Sequence, residues 1–401
     1  MWRNKSIWIL LTGDFIAGLG LWLGLIGDLE FMQKTIASDF LKSLIMAIGL
    51  LAGLVFGPYA GRLTDQISKK KVMLIAGLVR MISVLFMLVA ISTGSIWWMV
   101  LFLVLFQISA AFYFPALQAS LPLVASDKDL LQLNAIFMNV STLSRIIGAA
   151  LGGFLLVVLP LSFLYVGSLA AYVVLFILTF FLNIEENKIV PLRKAFDEDT
   201  GFNEVLPVIK NTPIVLLTLI ITIVPALFLS GVNLMVINIS EIQESAAIKG
   251  WVYAAEGISF MIGAISARKI NNQLSSYTVL FGSSFLIGLS QLLLYFAANP
   301  LLTVFAFLLF GFSAGSFFPT AATIFQTQVP KAFHGRFFSF QNMLDRVTYQ
   351  IILLLTGLLL DVIGLQIMSL IFGSISILLT VIFYGWNRKS GILIKQREIE
   401  L

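Results

Sequence analysis

Twelve apolar runs, each near twenty residues and joined by short polar segments, dominate this chain and leave few folds open to it. They lie near residues 6–32, 39–61, 72–92, 96–119, 131–157, 161–183, 213–239, 248–267, 276–297, 301–324, 336–360 and 364–386. Roughly 20 apolar residues in a helix span about 30 Å of hydrocarbon. With 59% hydrophobic residues, 11% charged residues and 35 phenylalanines in 401 positions, and a mean hydropathy of +1.00, a water-soluble domain is excluded. The pattern predicts an all-α polytopic membrane protein with twelve transmembrane helices. The first run is too long for a signal peptide and has no small-residue cleavage site after a short core, so it reads as an uncleaved first span. The absence of cysteine removes disulfide frameworks and thiol chemistry.

The loops set the expected orientation. With both termini inside, nineteen lysines and arginines fall on cytoplasmic segments and three, Lys34, Lys42 and Lys249, on external ones. That bias is the positive-inside rule. It places the chain in the cell membrane, multi-pass, with cytoplasmic termini, and it accounts for the pI of about 9.3 without a nucleic-acid partner. The longest polar stretch divides the spans six and six: an N-terminal bundle over 1–183, a cytoplasmic linker over 184–212, and a C-terminal bundle with a short tail over 213–401. Within the linker, Phe202, Val205, Leu206 and Ile209 fall at amphipathic spacing, which predicts a short surface helix over 201–210.

The halves resemble each other. Ser109-Ala110-Ala111-Phe112-Tyr113-Phe114-Pro115 in span 4 aligns with Ser313-Ala314-Gly315-Ser316-Phe317-Phe318-Pro319 in span 10, 204 residues on. Span 2 aligns with span 8, placing Gly57 on Gly263, and Arg145 of span 5 lies 201 residues before Arg346 of span 11. Such repeats characterise carriers whose substrate site lies near the midplane between two bundles.

One junction is more specific. Gly49, Gly53, Gly57 and Gly61 recur every fourth residue along span 2, a spacing that lets helix backbones approach closely in lipid. The run then breaks into Gly61-Arg62-Leu63-Thr64-Asp65-Gln66-Ile67-Ser68-Lys69-Lys70-Lys71. This string resembles the loop between spans 2 and 3 of the major facilitator superfamily of secondary transporters, with Gln66 in place of the usual Arg and Ser68 in place of the second Gly. The resemblance implies a conformational latch made of Gly61, Asp65, Lys69, Lys70 and, at the start of span 11, Arg336. Span 5 carries Gly148-Ala149-Ala150-Leu151-Gly152-Gly153, which looks like the Gly-Pro-x-x-Gly-Gly segment of exporters and drug/proton antiporters in this superfamily. Here Ala149 replaces the Pro, and Gly148, Gly152 and Gly153 form a helix-packing motif. Drug/proton antiporters often carry an Arg three residues before a span-4 Gln. Val104 occupies that place before Gln107, which makes the chain more similar to the branch with macrolide efflux proteins, siderophore exporters and lysophospholipid transporters.

Charges within spans are costly and persist where they are paired or line a wet cavity. The acids are Asp14, Asp28 and Glu30 in span 1, Glu256 in span 8 and Asp345 in span 11; the bases are Arg80, Arg145 and Arg346. At 1.5 Å per residue, Asp14 and Arg80 both lie about 12 Å from the cytoplasmic ends of their spans and Arg145 about 20 Å, so Asp14 can meet either arginine. Proton coupling needs an acid whose surroundings switch between a guanidinium and an apolar cavity. Asp14 with Arg145 as partner, and then Asp345 or Glu256, are the candidates. Asp28 and Glu30, near the outer end of span 1, read as a solvated rim.

Candidate cavity walls are Trp22, Gln107, Phe112, Asn139, Asn233, Phe317, Asn342 and Tyr349, four aromatics and four amides that suit a lipophilic substrate. The Gly311-Phe312-Ser313-Ala314-Gly315 string fits the Gly-x-Ser-x-Gly pattern of serine hydrolases. It lies mid-span, with no histidine base beside it in sequence. The one histidine, His334, makes no metal site alone, and no phosphate-binding glycine loop for ATP occurs. The expectation is a secondary transporter rather than an enzyme, without cofactor and acting as a monomer. It would be driven by the proton gradient and would export lipophilic drugs or antibiotics. The alternatives are a dedicated exporter or flippase of one metabolite or lipid, such as a siderophore or lysophospholipid, and a transport-inactive membrane sensor.

Overall fold

The computed structural model describes residues 4–125, 127–184, 205–330 and 333–389, and all regular structure among them is helical. Helices follow from the solvent, because hydrocarbon offers backbone groups no partners and each helix satisfies its own. In the first half they are α1 (Lys5–Thr35), α2 (Asp39–Gln66), α3 (Lys69–Thr93), α4 (Ile96–Val124), α5 (Asp127–Val158) and α6 (Leu161–Phe180). After them come α7 (Val205–Asn211), α8 (Pro213–Ile221), α9 (Ile223–Leu229), α10 (Val232–Ile242), α11 (Ala247–Gln273), α12 (Ser276–Leu293), α13 (Pro300–Gln328) and α14 (His334–Lys389). Helix starts sit where side chains cap them. Asn4 accepts from the Ser6 amide, Ser38 from Leu41, and Asn299 from both Leu301 and Leu302, with Pro300 in the first turn of α13.

Among the described residues, ten helical segments are long and apolar enough to cross a membrane. One of them, Phe340–Trp386, holds two crossings: the 56 residues of α14 would extend about 84 Å if straight. Gly364, at φ 72 and ψ 171, turns the chain there and separates spans 11 and 12. α11 is 27 residues long, and Lys249 and Glu256 lower its hydropathy. Span 7 is not one helix. Pro225 has no amide for the Ile221 carbonyl, and Pro213–Ile242 breaks into α8, α9 and α10 near that point. The hydroxyl of Thr222 at the break donates to Leu219 O at 2.6 Å. Of the expected surface helix, α7 covers the part from Val205, while Phe202 and the linker over 185–204 lie outside the described residues.

The chain forms two compact units, Met1–Ala195 with Ser245–Ala254, and Phe196–Glu244 with Ala255–Leu401. The first therefore takes in the opening turns of α11, which a division at the linker assigns to the C-terminal bundle. In it α1 packs on α5 and α6, α3 on α4 and α6, and α2 on α4. Ile7, Ile26, Tyr165 and Tyr172 are among its fully buried side chains. In the second unit α12 packs on α13 and α14, and α9 on α14. Its centre is aromatic: Phe228 stacks on Phe310 at 3.8 Å and meets Phe307 edge-on at 5.3 Å. Large apolar side chains such as Trp97 and Leu301, each 81% exposed, point outward, as they do where the surroundings are lipid.

The glycine row of span 2 behaves differently from its expectation. A methyl on Gly49 would sit 3.3 Å from Leu103 of α4, one on Gly53 would make ordinary contact with Gln107 at 3.6 Å, and one on Gly57 would meet nothing within 4 Å. The close approach occurs in the other unit, between α11 and α13, where a Cβ at Gly311 or Gly315 would run into the carbonyl oxygens of Glu256 and Phe260. A periodic glycine row permits close packing but does not identify which row uses it. We therefore expect Gly57→Ala to leave thermal unfolding in detergent unchanged or slightly raised. Gly364→Val, forced into a backbone region essentially reserved for glycine, should lower stability by about 1–3 kcal/mol. Equal melting temperatures for the two variants would contradict this assignment.

Candidate functional site

In the first unit, two helices place three aromatic rings around one guanidinium. Arg80 of α3 is 3% exposed, and its Cζ lies 4.9 Å from the ring centre of Tyr113, 5.2 Å from Phe106 and 5.4 Å from Tyr172. Phe106 and Tyr113 come from α4 and Tyr172 from α6. Ring faces attract a desolvated cation by roughly 2 kcal/mol each, which offsets part of the cost of holding Arg80 in the bundle. Asp14 of α1 lies within reach of the Arg80 charge and accepts a hydrogen bond from Ser141 of α5. Among the described residues, Oδ2 of Asp14 and Nε and Nη2 of Arg80 are buried without a hydrogen-bond partner. An acid with one hydrogen-bonded oxygen and a caged base, each with unused polar atoms, thus occupy the same unit.

Asp14 feels the charge of Arg80, and Arg145 of α5, the expected partner, lies 5.9 Å from the Trp22 ring centre. Trp22 in turn meets Tyr253 edge-on at 5.3 Å. The depth argument allows both arginines; the aromatic set around Arg80 is spread over α4 and α6 and has no linear motif. Gly148, Gly152 and Gly153 hold α5 against its neighbours. A Cβ on Gly148 would lie 2.8 Å from Trp22 Cβ, one on Gly152 3.0 Å from Ile26 Cβ, and one on Gly153 2.7 Å from the Gly250 backbone.

Asp28 and Glu30 do not form a solvated rim. The Tyr165 hydroxyl donates to Asp28 Oδ1 at 2.6 Å, and Glu30 is 7% exposed. Glu30 Oε2 binds Lys249 Nζ at 2.6 Å, its Oε1 binds Lys34 Nζ at 2.9 Å, and Lys249 also donates to Gln33. Lys249 is fully buried, in the first turn of α11. The 219 residues between the partners hid the pair from any local pattern.

In the second unit, Asp345, Asn342 and Tyr349 of α14 share a cavity of about 320 Å³ with Phe318, Phe325, Phe338, Gln341 and Thr222. Gln341 hydrogen-bonds Asp345. Phe317 is fully buried, 5.5 Å from the ring of Phe318, and of the two Phe318 lines this cavity. Along α13, helical turning sends adjacent rings to different sides, and only one of the two can face the space. The remaining candidates stand apart. Gln107 packs against the glycine row of α2, Phe112 and Asn233 are half-buried, Asn139 is exposed, and Glu256 is 7% exposed on α11. Of the latch residues, Lys70 Nζ lies 5.6 Å from the Phe180 ring centre and Lys69 opens α3; the side chains of Gly61, Asp65 and Arg336 lie outside the described residues. Ser313 sits within α13 and donates to Leu309 O at 2.7 Å, in a helix rather than the strand-turn-helix that a hydrolase serine requires.

Two helical units, buried charges within crossing-length helices and an amphipathic cavity define a multi-span membrane transporter. Comparison with known proteins gives the family. The sequence profile of the Major Facilitator Superfamily matches residues 10–347 and 226–396. The chain is 24% identical over 409 residues to the uncharacterized MFS-type transporter YfiS of Bacillus subtilis (strain 168), covering 95% of this chain and 93% of that one. It is 21% identical over 396 residues to macrolide efflux protein A of Streptococcus pyogenes, covering 95% of each. A crystal structure of the nucleoside transporter NupG superposes with a TM-score of 0.80 over 95% of this chain and 99% of that one, at 14% identity, which shows a shared fold. The chain belongs to the Major Facilitator Superfamily, and it is a transporter rather than an enzyme.

The Glu30–Lys249 pair yields a stability prediction. Removing one partner of a buried pair strands the other charge, at a cost of about 3–5 kcal/mol, whereas replacing both with apolar residues is often neutral. Lys249→Met should therefore lower the melting temperature of the purified protein more than the double variant Glu30→Leu/Lys249→Met. A double variant at least as unstable as the single one would show that the pair does not carry this energy.

Proposed function

We propose that the protein is a proton-coupled exporter of lipophilic drugs or antibiotics in the cell membrane, working by alternating access with both termini in the cytoplasm. The observation that carries the reading is the Asp14–Arg80 arrangement. Asp14 has one oxygen on Ser141 and one without a partner, beside a guanidinium held in place by three rings. A carboxylate releases its proton readily beside a fixed cation and keeps it in apolar surroundings. Rocking that alternates these two surroundings loads a proton on one side of the membrane and discharges it on the other. Arg80, coming from α3, supplies the buried positive charge that span 4 lacks at Val104. The likeness to macrolide efflux protein A along 95% of the chain and the glycine segment of span 5 support export and a lipophilic cargo. One chain holds both bundles, so a monomer suffices, and no cofactor is invoked.

The test is drug-dependent proton movement in proteoliposomes under an imposed pH gradient. The parent should acidify or alkalinise the lumen when a macrolide or lipophilic dye is added. Asp14→Asn should reduce this to the level of empty liposomes while leaving drug binding intact, and Arg145→Gln should retain more activity than Arg80→Gln. Drug or lysolipid movement without proton flux in the parent, or undiminished flux in Asp14→Asn, would overturn the proposal.

A further inference from the structure

Two cavities of the second unit meet at one carboxylate. The ring-lined cavity described above, about 320 Å³, presents three phenylalanines, a tyrosine and two amides. A second cavity, about 250 Å³, runs toward Leu206 and Ile209 of α7 between aliphatic walls that include Leu216, Leu219 and Leu344. Thr222 and Asp345 belong to the walls of both. Among the described residues, no lysine or arginine lines either space. The two cavities together fall within the roughly 300–1,000 Å³ usual for small-molecule sites.

The chemistry of the walls restricts what fits. Gln341 satisfies part of the Asp345 carboxylate, but an ionised carboxylate has about four acceptor positions, so acceptor capacity remains. An anion would meet a carboxylate and no compensating base. A neutral lipophile would fill the space but make no use of the remaining acceptor capacity of the carboxylate. A metal ion would find one carboxylate where hard cations take six or more oxygens, and no group of three metal-ligating side chains occurs among the described residues. An organic cation satisfies the carboxylate and also gains from ring faces.

We propose that these two cavities, which have Thr222 and Asp345 as common walls, form a binding site for a lipophilic organic cation, with its charge at Asp345, its aromatic part among Phe318, Phe325 and Phe338, and an alkyl part in the aliphatic cavity. The inference rests on the reading of the protein as an exporter of lipophilic compounds and names the charge of its cargo. It also divides the work of two carboxylates. Asp14 in the first unit handles protons and Asp345 in the second anchors cargo, although sequence alone made both of them candidates for the proton.

The experiment is equilibrium binding to the purified full-length protein in lipid nanodiscs, with no gradient present. The probes are tetraphenylphosphonium, its neutral counterpart triphenylphosphine oxide, and alkyltrimethylammonium ions of increasing chain length. The parent should bind the phosphonium saturably and the neutral compound at least about tenfold more weakly, with affinity rising along the alkyl series until the aliphatic cavity is filled. Asp345→Asn should lose about tenfold or more in cation affinity, and Asp345→Glu should retain most of it. Thr222→Lys, which puts a competing cation where the cavities meet, should abolish binding and provides an independent check if Asp345→Asn proves unstable. Unchanged cation binding in both Asp345→Asn and Thr222→Lys, or equal affinity of the parent for the neutral compound, would overturn the proposal. Cation binding without drug-driven proton flux would refute the coupling at Asp14 and leave this site standing. Proton-coupled export of neutral compounds only would do the reverse.

Discussion

Hydrocarbon charges a high free-energy penalty for every ionised group carried into it, and the internal organisation of this protein follows from how that penalty is met. The backbone meets it by being helical throughout the described residues. The side chains meet it in three ways: rings around Arg80, a salt bridge between Glu30 and Lys249, and a cavity wall for Asp345. These solutions differ in what they permit. The Glu30–Lys249 pair is short and fully engaged, with Gln33 and Lys34 completing it, so it fixes α1 against the start of α11. The Arg80 cage stabilises a cation without consuming its N–H groups, and the carboxylate nearby likewise keeps an oxygen free. A structural ion pair uses its polar atoms fully, whereas a site that must bind something in turn has to leave some unused.

How much of this was legible in the sequence depends on the range of the physics. Span positions follow from local apolar composition, and the runs over 39–61, 96–119 and 161–183 each fall within or nearly coincide with one helix. The break in span 7 was also local, since Pro225 removes a specific hydrogen bond, but a hydropathy run does not register it. Gly364 marks the turn between spans 11 and 12, where the expected runs leave only three residues between them. Partnerships were legible only as depths. Depth puts Asp14 and Arg80 at the same level below the membrane surface, but nothing in a linear pattern shows that Phe106, Tyr113 and Tyr172 converge on Arg80. The Glu30–Lys249 pair joins residues too far apart for any spacing rule.

The two halves share a repeated sequence pattern, and the differences between them carry the chemistry. Ser109 of α4 donates across to Ala76 O of α3 at 2.7 Å, while its counterpart Ser313 bonds back to its own helix. Gly57 has open space around the position of a Cβ, while its counterpart Gly263 lies against the Phe312 carbonyl. Repeated serines and glycines are thus reused for packing wherever each bundle needs it, which is why they say little about function. Arg80, Asp14 and the cavity around Asp345 have no equivalent in the opposite half at the matching positions: 204 to 206 residues beyond Arg80, for example, the chain has Ser284 to Leu286. Duplication accounts for the scaffold, and the charges that break its symmetry are where a directional process has to be sought. An arrangement that treated both bundles alike would offer proton and cargo the same environment, and could not couple the movement of one to the other.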